Sequence, residues 1–363
     1  MLRSRSSRLR SQRCGSAIVA ERVLVGMSGG VDSSVAAALL VDGGYDVVGV
    51  TMKLWGGESD SGCCSVSDVD DARWVAAELG IEHHVFNFGD EFTKFVVGPY
   101  VDTHRTGETP NPCIECNRHI KFDLFFERAS VIGFDYIATG HYAQVVDRPD
   151  GTKRLRRAVD PLKDQSYVLH MLGQDVLERL LLPIGGWNKS DLRVEAERRK
   201  LFTATKPDSQ DVCFITKAGG REDFLAARGG LTPGVIVDQS GSAVGTVPAT
   251  ELVTIGQRKG LNVSGMHEPQ FVLDVNLTES VVTIGPRRDL RDRVTSFRQP
   301  VWADEPFAGT ALVQASAHGD ALPALVHEDY VEWAAPRDRI APGQSLVFYD
   351  GDDVIGGALT VKG

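Results

Sequence analysis

The stretch that decides the fold is Val23-Leu24-Val25-Gly26-Met27-Ser28-Gly29-Gly30-Val31-Asp32-Ser33. An apolar run ends in a Ser-Gly-Gly turn, and the residues from 31 to 40 read as a helix. Two adjacent glycines let the backbone take positive φ and come close to a ligand. The amides of the turn and of the first helical turn lack partners inside the helix. With the helix dipole behind them, they form a cradle for an anion such as a phosphate. Two other phosphate-binding turns are excluded by spacing. No Gly-Lys-Ser/Thr follows, and no GxGxxG pattern is present.

Working outward, residues from about 20 to 145 alternate strand and helix. Strands are expected at 23–26, 46–52, 82–88 and 136–139, and helices at 31–42, 68–79 and 120–130. Val69, Ala72, Val75, Ala76 and Leu79 share one helical face, as do Phe122, Phe125, Phe126 and Ala129. Such alternation implies a parallel, doubly wound sheet with helices on both faces. Its ligands belong at the carboxyl ends of the strands. Ser28, Met52 and Gly140 all follow strands, so they should share one rim. The pattern from 169 to 199 reads as helical. From about Arg221, Gly and Pro rise and short apolar runs such as Val235-Ile236-Val237 appear. The end of the chain reads as a small antiparallel barrel. The expected organisation is a disordered basic tail (1–20), an α/β nucleotide-binding domain (21–216), a β-rich central domain (217–285) and a C-terminal barrel (286–363).

A chain of 363 residues has length enough for two or three domains with real cores. No apolar run approaches the roughly 20 residues that span a bilayer, and a cytoplasmic protein is expected. A formal charge of −10 argues against indiscriminate nucleic-acid binding but leaves room for local basic patches. Candidates are 153–157, 257–259 and 287–293, each of which also reads as a solvated face. Arg3, Arg5, Arg8, Arg10 and Arg13 stand among serines with no acid. That composition fits a transit peptide or a disordered arm. The Arg-over-Lys and Ala/Val/Gly bias of the whole chain favours the arm.

Six unevenly spaced cysteines do not make a disulfide framework for a chain this long. Asn111-Pro112-Cys113-Ile114-Glu115-Cys116-Asn117 places Cys116 just before the helix expected at 120, where a thiol is acidified. Cys213 stands in Asp208-Ser209-Gln210-Asp211-Val212-Cys213, and Cys63-Cys64 form a third group. A CxxC can be a redox pair, although the thioredoxin-type turn is absent. It can be half of a zinc site, although no second half follows. Alternatively, Cys116 and Cys213 are a catalytic pair that the fold brings together, against the general tendency of cysteine to be buried and inert.

Further motifs narrow the choice. Ser-Gly-Gly-x-Asp-Ser after a strand is the signature of pyrophosphate-loop enzymes, which split ATP between its α and β phosphates. Met52-Lys53-x-Trp55, Thr109-Pro110-Asn111-Pro112 with Cys116-Asn117, and Ala138-Thr139-Gly140-His141-Tyr142 follow it. So do Lys163-Asp164-Gln165-Ser166-Tyr167, Lys206-Pro207-Asp208-Ser209-Gln210 with Cys213-Phe214-Ile215, and Thr254-Ile255-Gly256-Gln257-Arg258-Lys259-Gly260. In order and number, from about Arg22 onward, these resemble the bacterial tRNA-specific 2-thiouridylases.

The resemblance implies ATP on Gly26, Met27, Ser28, Gly29, Gly30, Val31, Asp32 and Ser33, with Met52 and Gly140 near the adenosine. It implies adenylation of the C2 oxygen of the wobble uridine, U34. Cys213 would deliver sulfur as a persulfide, Cys116 would act as nucleophile on it, and the pair would end as a disulfide. A bare Asp32 beside phosphates implies bridging Mg²⁺. Asn111, Pro112 and Cys113 would lie at the target base, and His141, Lys163, Asp164, Gln165 and Gln344 would contact tRNA. The implied partners are tRNAs for lysine, glutamate and glutamine, and a cysteine desulfurase or sulfur-relay protein. Two departures stand out. Cys113 occupies a position that is often Asp in the family, which opens a rival: a 4Fe–4S cluster on Cys113, Cys116 and Cys213. Ser316-Ala317 stands where many members carry an Arg-Tyr pair. Two other functions compete, a pyrophosphate-loop ligase acting on a small molecule and a non-catalytic tRNA binder. The paired thiols and the intact loop favour neither.

Overall fold

The computed structural model describes residues 20–55, 66–208, 212–215, 220–263 and 268–362. Nearly all of the basic tail, together with Cys63-Cys64 and residues 209–211, lies outside them. Strand β1 (Arg22–Gly26) is the middle of a parallel sheet with β2 (Asp46–Lys53), β3 (Glu82–Asn87), β4 (Tyr136–Ala138) and the short strand Leu180–Leu181. From edge to edge the strands run 82–87, 46–53, 22–26, 136–138 and 180–181. Val23, Leu24 and Val25 are fully buried, so both faces of β1 are covered. Val23 and Val25 pack with α1 (Val31–Asp42), α2 (Val66–Leu79) and the helix Lys189–Arg198. Leu24 packs on the other face with Phe92, Ile120, Phe122 and Phe125. The order reverses at β1, with β2 on one side and β4 on the other, which opens a crevice at their carboxyl ends.

Three local expectations are corrected. The helix expected from 120 begins at Pro112. It runs as a turn of α-helix (Pro112–Glu115), a π-helical stretch (Cys116–Leu124) and a second α-helical stretch (Phe125–Val131). Asn111 caps it, accepting from the Cys113 amide at 3.1 Å, and Pro112 takes the first helical position, where its missing N–H costs nothing. Cys116 is therefore a full turn inside the helix and 7% exposed, not poised before its start. The helical pattern over 169–199 resolves into a 3₁₀ turn, a short helix, the strand at 180–181 and the helix Lys189–Arg198. Pro183 and Gly185-Gly186 prevent one continuous helix, and Leu180-Leu181 pairs with Ile137-Ala138 instead. The basic run 153–157 is a strand, hairpinned with Ala143–Asp147. Its cations are committed to Asp147, Asp304, Asp353 and Asp164.

A second sheet surrounds Ile236, Val272, Val282 and Ile284. In it Gly234–Val237 runs parallel to Val281–Pro286, while its other pairings are antiparallel. The last sheet closes on itself. Arg291–Trp302 pairs with both Tyr330–Asp338 and Asp353–Thr360, which makes a six-stranded antiparallel barrel filled by Trp333, Phe348 and Leu346. The 143–157 hairpin joins its edge at Arg156 and Asp353.

The barrel is fastened to the α/β domain by polar contacts. The Thr109 amide donates to the Pro342 carbonyl at 2.7 Å, and Tyr167 Oη to the Ser345 carbonyl at 2.8 Å. Arg157 lies 3.7 Å above the Tyr349 ring. Gly357 allows the closest approach, since a Cβ there would lie 2.2 Å from Cδ2 of the buried His170. Gly357→Ala should destabilise the protein by about 1–3 kcal/mol, the usual cost of overpacking. Thermal denaturation checks this, and an unchanged midpoint would show that the barrel does not press on His170.

Candidate active site

The crevice at the ends of β1, β2 and β4 is a cavity of about 360 Å³. Of the ten residues expected to hold ATP, all but Gly29 line it. Gly29 shapes it from behind. Its φ is +71°, and a Cβ there would lie 2.3 Å from the Asp68 carbonyl oxygen. Ser33 Oγ closes the turn, accepting from the Ser28 amide (3.2 Å) and donating to the Gly30 carbonyl (3.1 Å). The Met27 amide still pairs with Val50, so β1 and the loop stay fastened to β2. Gly140, after β4, is pressed against the start of α1, and a Cβ there would lie 2.8 Å from the Ser33 nitrogen. The cavity therefore has a glycine wall on each side of the helix N-terminus, an arrangement that admits an anion but no extra methyl group.

Asp32 is not bare. Lys189 Nζ donates to both its oxygens, at 2.7 and 2.8 Å, and Tyr142 Oη donates to Oδ1 at 2.8 Å. Burial, then the Asp32 charge, raises the Tyr142 pKa and keeps it a phenol donor. The argument for Mg²⁺ from an uncompensated Asp32 is thereby overturned, because a lysine supplies the countercharge. Lys206 clamps the loop from the other side, donating to the Gly29 carbonyl (3.0 Å), Asp68 (2.7 Å) and Asp71 (2.5 Å). Asp208 takes Lys163 (2.7 Å), Lys189 (2.8 Å) and Arg193 (2.7 Å). Burial raises its pKa, but the donors on Lys163 and Lys189 outweigh that and pull it down to about 2.

The expected tRNA contacts separate into two groups. His141, Lys163 and Gln165 line the cavity. Burial, then Lys121, depresses His141 well below the ordinary range, so it is a neutral ring bonded to Thr139 Oγ1 at 2.7 Å. Asp164 and Gln344 have partners within the protein. Asp164, 6% exposed, accepts from Arg157, the Ala158 amide and Ser166 Oγ, and Gln344 donates to the Thr109 carbonyl. Asn111 and Pro112 line a second cavity, of about 480 Å³, between the helix at 112 and the barrel.

Cys113 is exposed, Cys116 buried and Cys213 half-buried, and the last two pack into the same apolar core. Among the described residues no group of three His, Cys, Asp or Glu converges as a metal site. Sequence reasoning missed Lys189, and it quoted Tyr142 and Asp208 only within motifs, with no role for either. Gly140→Ala should weaken ATP binding about 5- to 150-fold, the equivalent of about 1–3 kcal/mol of overpacking against α1. Calorimetric titration with ATP checks this, and wild-type affinity would mean that ATP does not use this wall.

Residues 21–217 match the family model described as tRNA methyl transferase HUP domain. Residues 222–286 match the tRNA methyl transferase PRC-barrel domain, and 313–360 the aminomethyltransferase beta-barrel domain. The tRNA-specific 2-thiouridylase MnmA of Roseiflexus sp. (strain RS-1) is 42% identical over 375 residues, covering 94% of this chain and 99% of that protein. The protein of the same name from Chloroflexus aggregans is 45% identical over 356 residues, covering 94% and 98%. That from Streptomyces avermitilis is 42% identical over 353 residues, covering 93% and 94%. With a pyrophosphate loop, a closed barrel and end-to-end identity of this order, the chain belongs to the tRNA-specific 2-thiouridylase family.

Proposed function

We propose that this enzyme uses ATP to place sulfur on C2 of the wobble uridine of tRNA. The observation that carries the reading is the glycine-walled cavity, roofed by the 206–208 segment that leads within five residues to Cys213. At no more than about 3.6 Å per residue, that thiol stays within reach of the cavity. ATP binds with its phosphates on the 28–33 turn and enters as its Mg²⁺ complex, the ion held chiefly by phosphate and water. The uridine C2 oxygen attacks the α-phosphate and pyrophosphate leaves. C2 then carries an adenylate, and AMP becomes the leaving group for sulfur.

The outer sulfur of a persulfide on Cys213 attacks C2 and AMP departs. The Cys116 thiolate then attacks Sγ of Cys213 and breaks the S–S bond. Its electron pair goes to the sulfur on C2, which becomes the thiocarbonyl, and Cys116 and Cys213 are left as a disulfide. An external thiol must reduce that disulfide before the next turnover. The persulfide is supplied by a cysteine desulfurase, directly or through a relay protein, and the setting is the cytoplasm. The tRNAs are those for lysine, glutamate and glutamine. Asn111, Pro112 and Cys113 approach the base, while His141, Lys163 and Gln165 approach the RNA from the cavity side. Asp164 and Gln344 act indirectly, by fixing Arg157 and the 109–111 turn. The turn at Ser316-Ala317, closed by Gln314, adds no cation to the grip.

Cys213→Ser and Cys116→Ser should each abolish thiolation while tRNA-dependent release of pyrophosphate continues. Mass spectrometry of digested tRNA and a pyrophosphate assay on the same samples read both steps. Normal thiolation by Cys213→Ser would remove the persulfide role. Affinity for tRNA should fall log-linearly with salt, because phosphate contacts release counterions. A flat filter-binding profile between low and moderate salt would argue against an RNA substrate.

A further inference from the structure

Lys189 opens the helix Lys189–Arg198 and is 11% exposed. Its single ammonium serves two carboxylates from distant parts of the chain. Asp32, in the first turn of α1, receives it on both oxygens. Asp208, at the head of the segment that leads to Cys213, lies 2.8 Å away through Oδ1. One turn along the same helix, Arg193 holds that Oδ1 at 2.7 Å and also donates to the carbonyls of Ala204 and Lys206. Lys163 holds Asp208 Oδ2 from the cavity side. The Lys189–Arg198 helix thus touches both the phosphate loop and the approach to the thiol.

An ammonium shared by two carboxylates partitions between them according to their surroundings. Phosphates arriving beside Asp32 add negative charge to a cavity that Asp208 also lines, and they compete with Asp208 for Lys189. They also draw on Lys163, which lines the same cavity. Asp208 then loses part of the charge that fixes it, and it regains that charge when pyrophosphate leaves. We propose that Lys189 is a positioning residue that couples occupancy of the phosphate cavity to the placement of the Cys213 segment. Filling the cavity loosens Asp208 and emptying it restores the anchor, so the thiol responds to the state of the nucleotide. This rests on the reading of the cavity as the ATP site.

The test uses the full-length protein without tRNA. Alkylation of Cys213 by iodoacetamide is followed by peptide mass spectrometry, with and without saturating α,β-methylene-ATP and Mg²⁺. Binding of the analogue is measured separately by calorimetry. In the wild type the analogue should change the Cys213 rate about fivefold or more, the lower end of site-to-site coupling. In Lys189→Met the rate should be the same with and without bound analogue, whereas Lys189→Arg should keep the response. Asp208→Asn removes the other end of the bridge and should also abolish the response, which keeps the test decisive if Lys189→Met folds poorly. A full response in Lys189→Met or Asp208→Asn, or no response in a wild type that binds the analogue, overturns the coupling. A wild type that fails to bind the analogue overturns the ATP reading itself.

Discussion

The site depends on one steric constraint, which is that the end of β4 and the start of α1 touch with no room for a side chain. A Cβ at Gly140 would meet the Ser33 amide and the Asp32 carbonyl carbon, and a Cβ at Gly29 would meet the Asp68 backbone. These contacts hold the first helical turn where its amides face the crevice. The sheet enforces the arrangement, because β4 is hydrogen-bonded to β1 and the fully buried Val23, Leu24 and Val25 leave β1 no freedom to move. A ligand approaching from the carboxyl ends therefore meets backbone donors already in place. That preorganisation suits an anion whose charge rises as a bond to phosphorus forms.

Electrostatics complete what sterics begin. Helix N-terminal amides welcome phosphate, and a carboxylate in that first turn opposes it. Asp32 is tolerable because Lys189 and Tyr142 donate to it. Lys206 balances Asp68 and Asp71 in the same way. The cavity is thus a neutralised polar basket, in which the phosphates meet few uncompensated anions. The thiols lie apart from this polar zone. Cys116 and Cys213 join an apolar cluster in which Phe214 packs edge-on against Phe92 and Tyr100.

Local signals in the chain were legible and distant ones were not. The strand–turn–helix at 22–42 could be read because every residue it needs is adjacent. The helix start at 112 was also written locally, as an Asn cap followed by Pro at the first helical position, and the apolar periodicity further on obscured it. The run 153–157 reads as a basic patch because two of its counter-charges, Asp304 and Asp353, come about 150 and 200 positions later. Lys189 lies in a helix of ordinary polar composition, 157 positions from Asp32. No spacing rule could have joined those two residues. The partners of Asp164 and Gln344 within the protein, Arg157 and the Thr109 carbonyl, are likewise supplied only by tertiary packing.

The central claim is that the uridine C2 oxygen itself attacks the α-phosphate. An anticodon stem-loop carrying ¹⁸O at C2 of the wobble uridine tests it in a single turnover with ATP and persulfide-loaded enzyme. The account predicts that the heavy oxygen leaves the RNA and appears in AMP, in step with the formation of 2-thiouridine. Unlabelled AMP alongside thiolated RNA would contradict it, because sulfur would then have replaced an oxygen that never bonded to phosphorus.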